Sequence, residues 1–158
     1  MKINLAKSAG FCFGVKRAID IALKTARSSD NVLMLGDTVH NEDVVSLIER
    51  AGIKKVNRLA TGKGKILLIR AHGAGKSIFE KASRLGYRII DATCPMVKEI
   101  HKIACRAQSE GYKIIVIGDK KHDEVRGIIG QLNKKAFIID RPEDAAIKKL
   151  KKLKKAAV

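Results

Sequence analysis

The chain has 158 residues, 46% of them hydrophobic, and a formal net charge of +17. That is enough apolar material for one compact domain or two small ones, and no run approaches the ~20 apolar residues of a membrane span. No signal-peptide core follows Met1-Lys2, and three widely separated cysteines fit no secreted disulfide framework, so a cytoplasmic protein is expected.

Apolar runs alternate with helical patterns, the signature of an α/β fold with mostly parallel strands. Strands are expected at residues 3–6, 32–35, 66–70, 88–91, 113–117 and 136–139. The first helix follows Gly10-Phe11-Cys12-Phe13-Gly14, with Val15, Ile19, Leu23 and Ala26 on its buried face. Cys12 therefore lies at a helix amino end, where free N–H groups favour negative charge. Asn41 is placed to cap a second helix that stops before Gly52, and Ser77 to open a third ending at Gly86. Pro95 suits a first helical turn, which makes Cys94 the cap of a helix running to about Glu110. A helix after Glu124 is weakened by Gly127 and Gly130. A last helix is expected from Pro142, carrying Ala146, Ile147, Leu150, Leu153 and Ala157 at helical spacing and lysines between them.

An internal repeat organises these elements. At one offset of 82 residues, Cys12 matches Cys94, Val15 Val97, Lys16 Lys98 and Ala22 Ala104. The same offset carries Gly36, Asp37, His40 and Glu42 onto Gly118, Asp119, His122 and Glu124. The expected architecture is two similar small parallel-sheet α/β domains, residues 1–93 and 94–158. Each holds a cysteine at a helix start and a Gly-Asp-x-x-His loop after a strand.

The chemistry-bearing residues admit bland readings as well as sharp ones. Cys105 lies eleven residues after Cys94, ~16 Å along one helix, and has no counterpart in the first copy, so it reads as a buried thiol. Alone, His40 or His122 would be a satisfied structural histidine, and their equivalence under the repeat argues for a shared role. His72 follows a buried strand, with glycines beside it that could join the imidazole around an anion; His101 receives no role. Glu124 could be a general acid, but its spacing alone favours the simpler reading of a carboxylate at a helix amino end. Gly73-Ala74-Gly75-Lys76-Ser77 ends like a phosphate loop, but Arg70 stands where its first glycine is required.

Five segments together resemble one family. They are Gly10-Phe11-Cys12-Phe13-Gly14-Val15, Val39-His40-Asn41, Arg70-Ala71-His72-Gly73, Asp91-Ala92-Thr93-Cys94-Pro95 and His122-Asp123-Glu124-Val125. In this order they are similar to the LytB/IspH family of 4-hydroxy-3-methylbut-2-enyl diphosphate reductases, over Met1 to about Ile139. The resemblance implies three similar domains around a [4Fe-4S] cluster held by three cysteines. Cys12 and Cys94 match two of those ligands, His40, His72 and His122 match the diphosphate-binding residues, and Glu124 matches the proton donor. It further implies reductive dehydroxylation at the end of the methylerythritol phosphate route to isoprenoids, with an acidic electron donor of ferredoxin or flavodoxin type. Two departures stand out. Asp123 occupies a position where the family usually has proline. The third domain and its cysteine are absent, which leaves either a fragment or a chain completed by a separate polypeptide.

Two rivals belong to other classes. A basic module binding RNA or another polyanion explains the charge but leaves the cysteine repeat unexplained and lacks aromatic platforms. A zinc protein would use Cys12, Cys94 and histidines as ligands.

Overall fold

The computed structural model describes residues 1–7, 9–36, 41–146 and 150–158. Its elements run α1 (Phe13–Ser28), β1 (Val32–Leu35), α2 (Glu42–Arg50), β2 (Lys54–Val56), β3 (Ile66–Ile69), α3 (Lys76–Arg84) and β4 (Arg88–Asp91). There follow α4 (Pro95–Ser109), β5 (Lys113–Ile117), α5 (Asp123–Ile129), β6 (Phe137–Ile139), two 3-10 turns and β7 (Ala156–Ala157).

The strands form two all-parallel sheets, ordered β2-β1-β3-β4 and β6-β5-β7. All four residues of β3 are buried, as expected of a central strand covered on both faces. One face of the first sheet meets α1 and α2 through Met34, Ile48, Ile66 and Leu68, and the other meets α3 through Leu67, Ile69 and Ala82. Burying each large side chain contributes about 1.5–3 kcal/mol.

Helix starts follow the side chains available. The Asn41 side chain accepts the Val44 N–H at 3.0 Å and caps α2. Pro95 occupies the first turn of α4, and Cys94 is its cap. The third helix begins at Lys76 behind Gly75 rather than at Ser77. In α1 the fully buried stripe is Gly14, Ala18, Ala22 and Thr25, one residue round from the expected apolar face. These small side chains let the helix sit close to the sheet, with Val15, Ile19 and Ala26 half-buried beside them.

Three expectations need correction. Residues 3–6 are not a strand: Ile3 and Leu5 are exposed, and neither edge of the first sheet supplies ladder partners. The edge strand β2 was missed because Lys54-Lys55-Val56 shows little apolar patterning. The helix expected from Pro142 is replaced by 3-10 turns at Pro142–Ala146 and Leu150–Lys152, and Ala157 lies in a strand; Ile147, Lys148 and Lys149 fall outside the described residues. Lysines at helical neighbour positions repel one another, and the open edge of β5 offers Ala156 and Ala157 ladder bonds instead.

Candidate functional site

The site residues gather near the amino ends of α1, α4 and α5 and the segment after β3. Cys12 caps α1 and Cys94 caps α4, each with extended-side backbone and no side-chain cap bond. The Cys94 sulfur lies against Gly14, the second residue of α1: a Cβ built there would come within 2.4 Å of it. Gly14 thus supplies the space that lets one copy's cysteine reach the helix end capped by the other's. The approach is fixed from both sides. Arg17 of α1 donates to the Thr93 carbonyl at 3.1 Å, and the Cys94 N–H donates to the Ala71 carbonyl at 2.9 Å. Cys12 is exposed, Cys94 half-buried, and both are free thiols.

The segment after β3 carries Arg70 and His72 to the same region. His72 is buried, and its ring stands edge-on to that of His122, centroids 6.2 Å apart. His122 caps α5 by accepting the Glu124 N–H on Nδ1 at 3.3 Å. That bond engages the Nδ1 lone pair, so a neutral His122 ring carries its proton on Nε2. Glu124 follows in the first turn of α5, half-buried. His40 lies outside the described residues.

Behind the Cys94 turn, Asp91 accepts the Thr93 N–H at 2.9 Å, receives the Thr93 hydroxyl, and pairs with Lys98 Nζ at 2.5 Å. Burial pushes the Asp91 carboxyl up, but Lys98 and the two Thr93 bonds outweigh it and hold the group below its ordinary value. This network fixes the turn that presents Cys94. The spacing of Asp91 and Thr93 is the one signal that could have pointed to this turn; the lysine partner one turn into α4 carries none.

His101 was the residue most underestimated. It is buried on α4 with no hydrogen-bond partner on Nε2 among the described residues, facing Gly127 of α5. A Cβ at Gly127 would stand 3.3 Å from both that nitrogen and the His72 carbonyl, so the glycine that weakens α5 also permits its close approach. Burial lowers the His101 pKa, against the opposing charges of Asp91 and Glu124. The repeat held a signal: its counterpart, 82 residues earlier, is Ile19.

Cys105 stays apart, donating to the Gln131 carbonyl at 3.4 Å as a structural thiol. Among the described residues, no group of three or more His, Cys, Asp or Glu converges as a closed metal site would require. What the described residues supply is two thiols, an incomplete sulfur donor set suited to a soft metal centre shared with further ligands. Among the described residues, no helix is long and apolar enough to cross a membrane.

Fold and site define a parallel α/β protein with two sheet units, paired cysteine-capped helices and a histidine pair beside them. The chain belongs to the LytB family: residues 3–158 match the model described as "LytB protein". It is 41% identical over 146 residues to the 4-hydroxy-3-methylbut-2-enyl diphosphate reductase of Alkaliphilus oremlandii (strain OhILAs), covering 91% of this chain and 52% of that protein. With the same-named protein of Geotalea daltonii (strain DSM 22248 / JCM 15807 / FRC-32) it shares 39% over 158 residues, all of this chain and 55% of the relative. A solved structure of (E)-4-hydroxy-3-methyl-but-2-enyl diphosphate reductase matches with TM-score 0.80 and 36% identity, over 90% of this chain and 52% of that one. The Plasmodium falciparum reductase structure matches with TM-score 0.81 and 30% identity, over 89% and 45%. The chain spans about half the length of the curated relatives it matches.

Proposed function

We propose that this chain supplies two cluster-ligand cysteines and much of the diphosphate site of a 4-hydroxy-3-methylbut-2-enyl diphosphate reductase. The observation that carries the reading is the Cys94 sulfur lodged against Gly14, at the helix end capped by Cys12. Cys12 and Cys94 would hold two corners of a [4Fe-4S] cluster, the remaining cysteine coming from polypeptide outside these residues. When bound, the cluster supplies the electrons and Lewis acidity for reductive removal of an allylic hydroxyl. The overall reaction consumes two electrons and two protons and releases water with isopentenyl or dimethylallyl diphosphate.

The chain's own residues bind and protonate. Nε2–H of His122 and the buried His72, with His40 of the matching motif, would hold the diphosphate by hydrogen bonds. Glu124 would hold the proton, its backbone fixed by the bond to His122 Nδ1. The net charge of +17 suits an anionic substrate and an acidic electron donor of ferredoxin or flavodoxin type. A domain boundary at residues 93 and 94 and a cytoplasmic location complete the reading, with a separate polypeptide or a longer reading frame providing the third domain.

The test is anaerobic co-expression with the carboxyl-terminal half of a relative. Iron and sulfide bound only in the completed protein, and lost in Cys12→Ser or Cys94→Ser, support the reading; zinc or no metal refutes it. In the completed enzyme Glu124→Gln should cut turnover ~10²-fold or more while cluster signal and diphosphate binding persist. Near-normal turnover would reduce Glu124 to a helix-end carboxylate.

A further inference from the structure

Asp123 stands between His122 and Glu124 in the first turn of α5, and its carboxylate is committed to Arg70. The Arg70 Nη2–Asp123 Oδ1 distance is 2.8 Å, with 20% and 25% of the two side chains exposed. Arg70 directly follows β3, two residues before His72, and its guanidinium lies over Gly36 just after β1, where a Cβ would meet Nη1 at 2.8 Å. One ion pair therefore joins the strand end that leads to His72 to the turn that bears His122 and Glu124. Both members line one cleft of about 260 Å³, with Gly73, Ser77, Arg126 and Gly127.

The first turn of α5 needs such a tie. With seven residues, α5 is too short to hold itself by helix propensity, and Gly127 weakens it further. Its start is set by the Asp119–His122 turn, the His122 cap and the bond to Arg70. The first two are local to the loop. Of these three, the ion pair is the one that reaches the strand end, beside the His72–His122 ring contact and the packing of Gly127 against the His72 carbonyl.

We propose that Asp123 is a positioning residue, its ion pair with Arg70 holding His122 and Glu124 in register with His72 for binding a diphosphate. This rests on the reading of those histidines as diphosphate ligands. Asp123 has no direct part in the proton transfer, because its carboxylate is spent on the guanidinium. A proline at this first helical position would constrain the same turn through its fixed φ. The ion pair and the ring are two physical means to one placement.

Electrostatics and positioning predict opposite signs. A carboxylate near an anion repels it, so removing the charge should tighten diphosphate binding if position is irrelevant. If position matters, removal should weaken it. The experiment titrates inorganic diphosphate into the full chain by isothermal calorimetry, at temperatures well below each variant's own unfolding midpoint. Asp123→Asn should bind at least ~5-fold more weakly, Asp123→Glu should fall between, and Asp123→Pro should recover to within ~2-fold of the parent. Stability loss alone would not produce recovery in a variant that also lacks the ion pair. Equal or tighter binding by Asp123→Asn, or no recovery by Asp123→Pro, overturns the inference while leaving the diphosphate reading intact. A parent chain that binds no diphosphate overturns both.

Discussion

Gly14→Ala tests the contact on which the site depends. The added Cβ would come 2.4 Å from the Cys94 sulfur and 3.0 Å from its Cβ, against the roughly 3.5–4.0 Å of ordinary carbon contacts. Inserting a methyl group into a filled space costs about 1–3 kcal/mol. Replacing glycine by alanine within a helix returns up to about 1 kcal/mol, and less in the first turn. A net loss of about 1–2 kcal/mol is expected by urea denaturation of the reduced chain. The cause is isolated in a Cys94→Ala background, which removes the sulfur. There the same substitution should be nearly neutral, giving a coupling of about 1 kcal/mol or more between the two positions. Alanine at position 14 that is equally benign with and without the sulfur would show that Cys94 does not lie against α1, and the paired-thiol site would fall with it.

His101 predicts a stability change with pH. Burial lowers its folded pKa below that of the unfolded chain, so the unfolded state binds more protons between the two values. Its contribution is full above the unfolded value of about 6.5 and is lost as pH falls below it; His101→Gln should flatten that loss on the acid side of about pH 6.5 in urea titrations, and an unchanged slope would refute it. The two sheets should also differ in hydrogen exchange. Amides of β5 and β6 should exchange faster than those of β1 and β3 under native conditions, since Ile103 and Ile117 of the second unit are 58% and 68% exposed; equal protection would contradict this.

Much of this was legible because the chain states it locally. Asn41 and Pro95 announce helix starts within four residues of the groups they organise. The unbroken apolar run Ile66–Ile69 reads as a strand covered on both faces. The repeat added what no single motif could, since it paired Cys12 with Cys94 and His40 with His122 before any geometry was known. What escaped was set by neighbours distant in sequence. Arg70 and Asp123 are both polar and unexceptional until β3 and α5 meet. His101 looked like a charged-surface residue because its side faces α5 only in the folded chain. The lysine-rich end carried a true helical period, but the open edge of β5 decided its final strand.

The same distinction explains how duplication can give an asymmetric site. Each copy runs helix, strand, helix, strand, with β1 against β2 in one and β5 against β6 in the other. In the second sheet β7 takes the side of β5 that β3 takes on β1. Duplication thereby gives two helices capped by cysteine. The residues that distinguish the halves come from what is not repeated. Arg70 and His72 follow β3, and their segment lies between the copies, bonded through Ala71 to Cys94 and through Arg70 to Asp123. Gly14 makes a further difference, because the residue matching it 82 positions on is Met96, which is exposed. Only the first helix can therefore admit the other's sulfur. A symmetric pair of units becomes a single site because one copy contributes the space and the other the group that fills it.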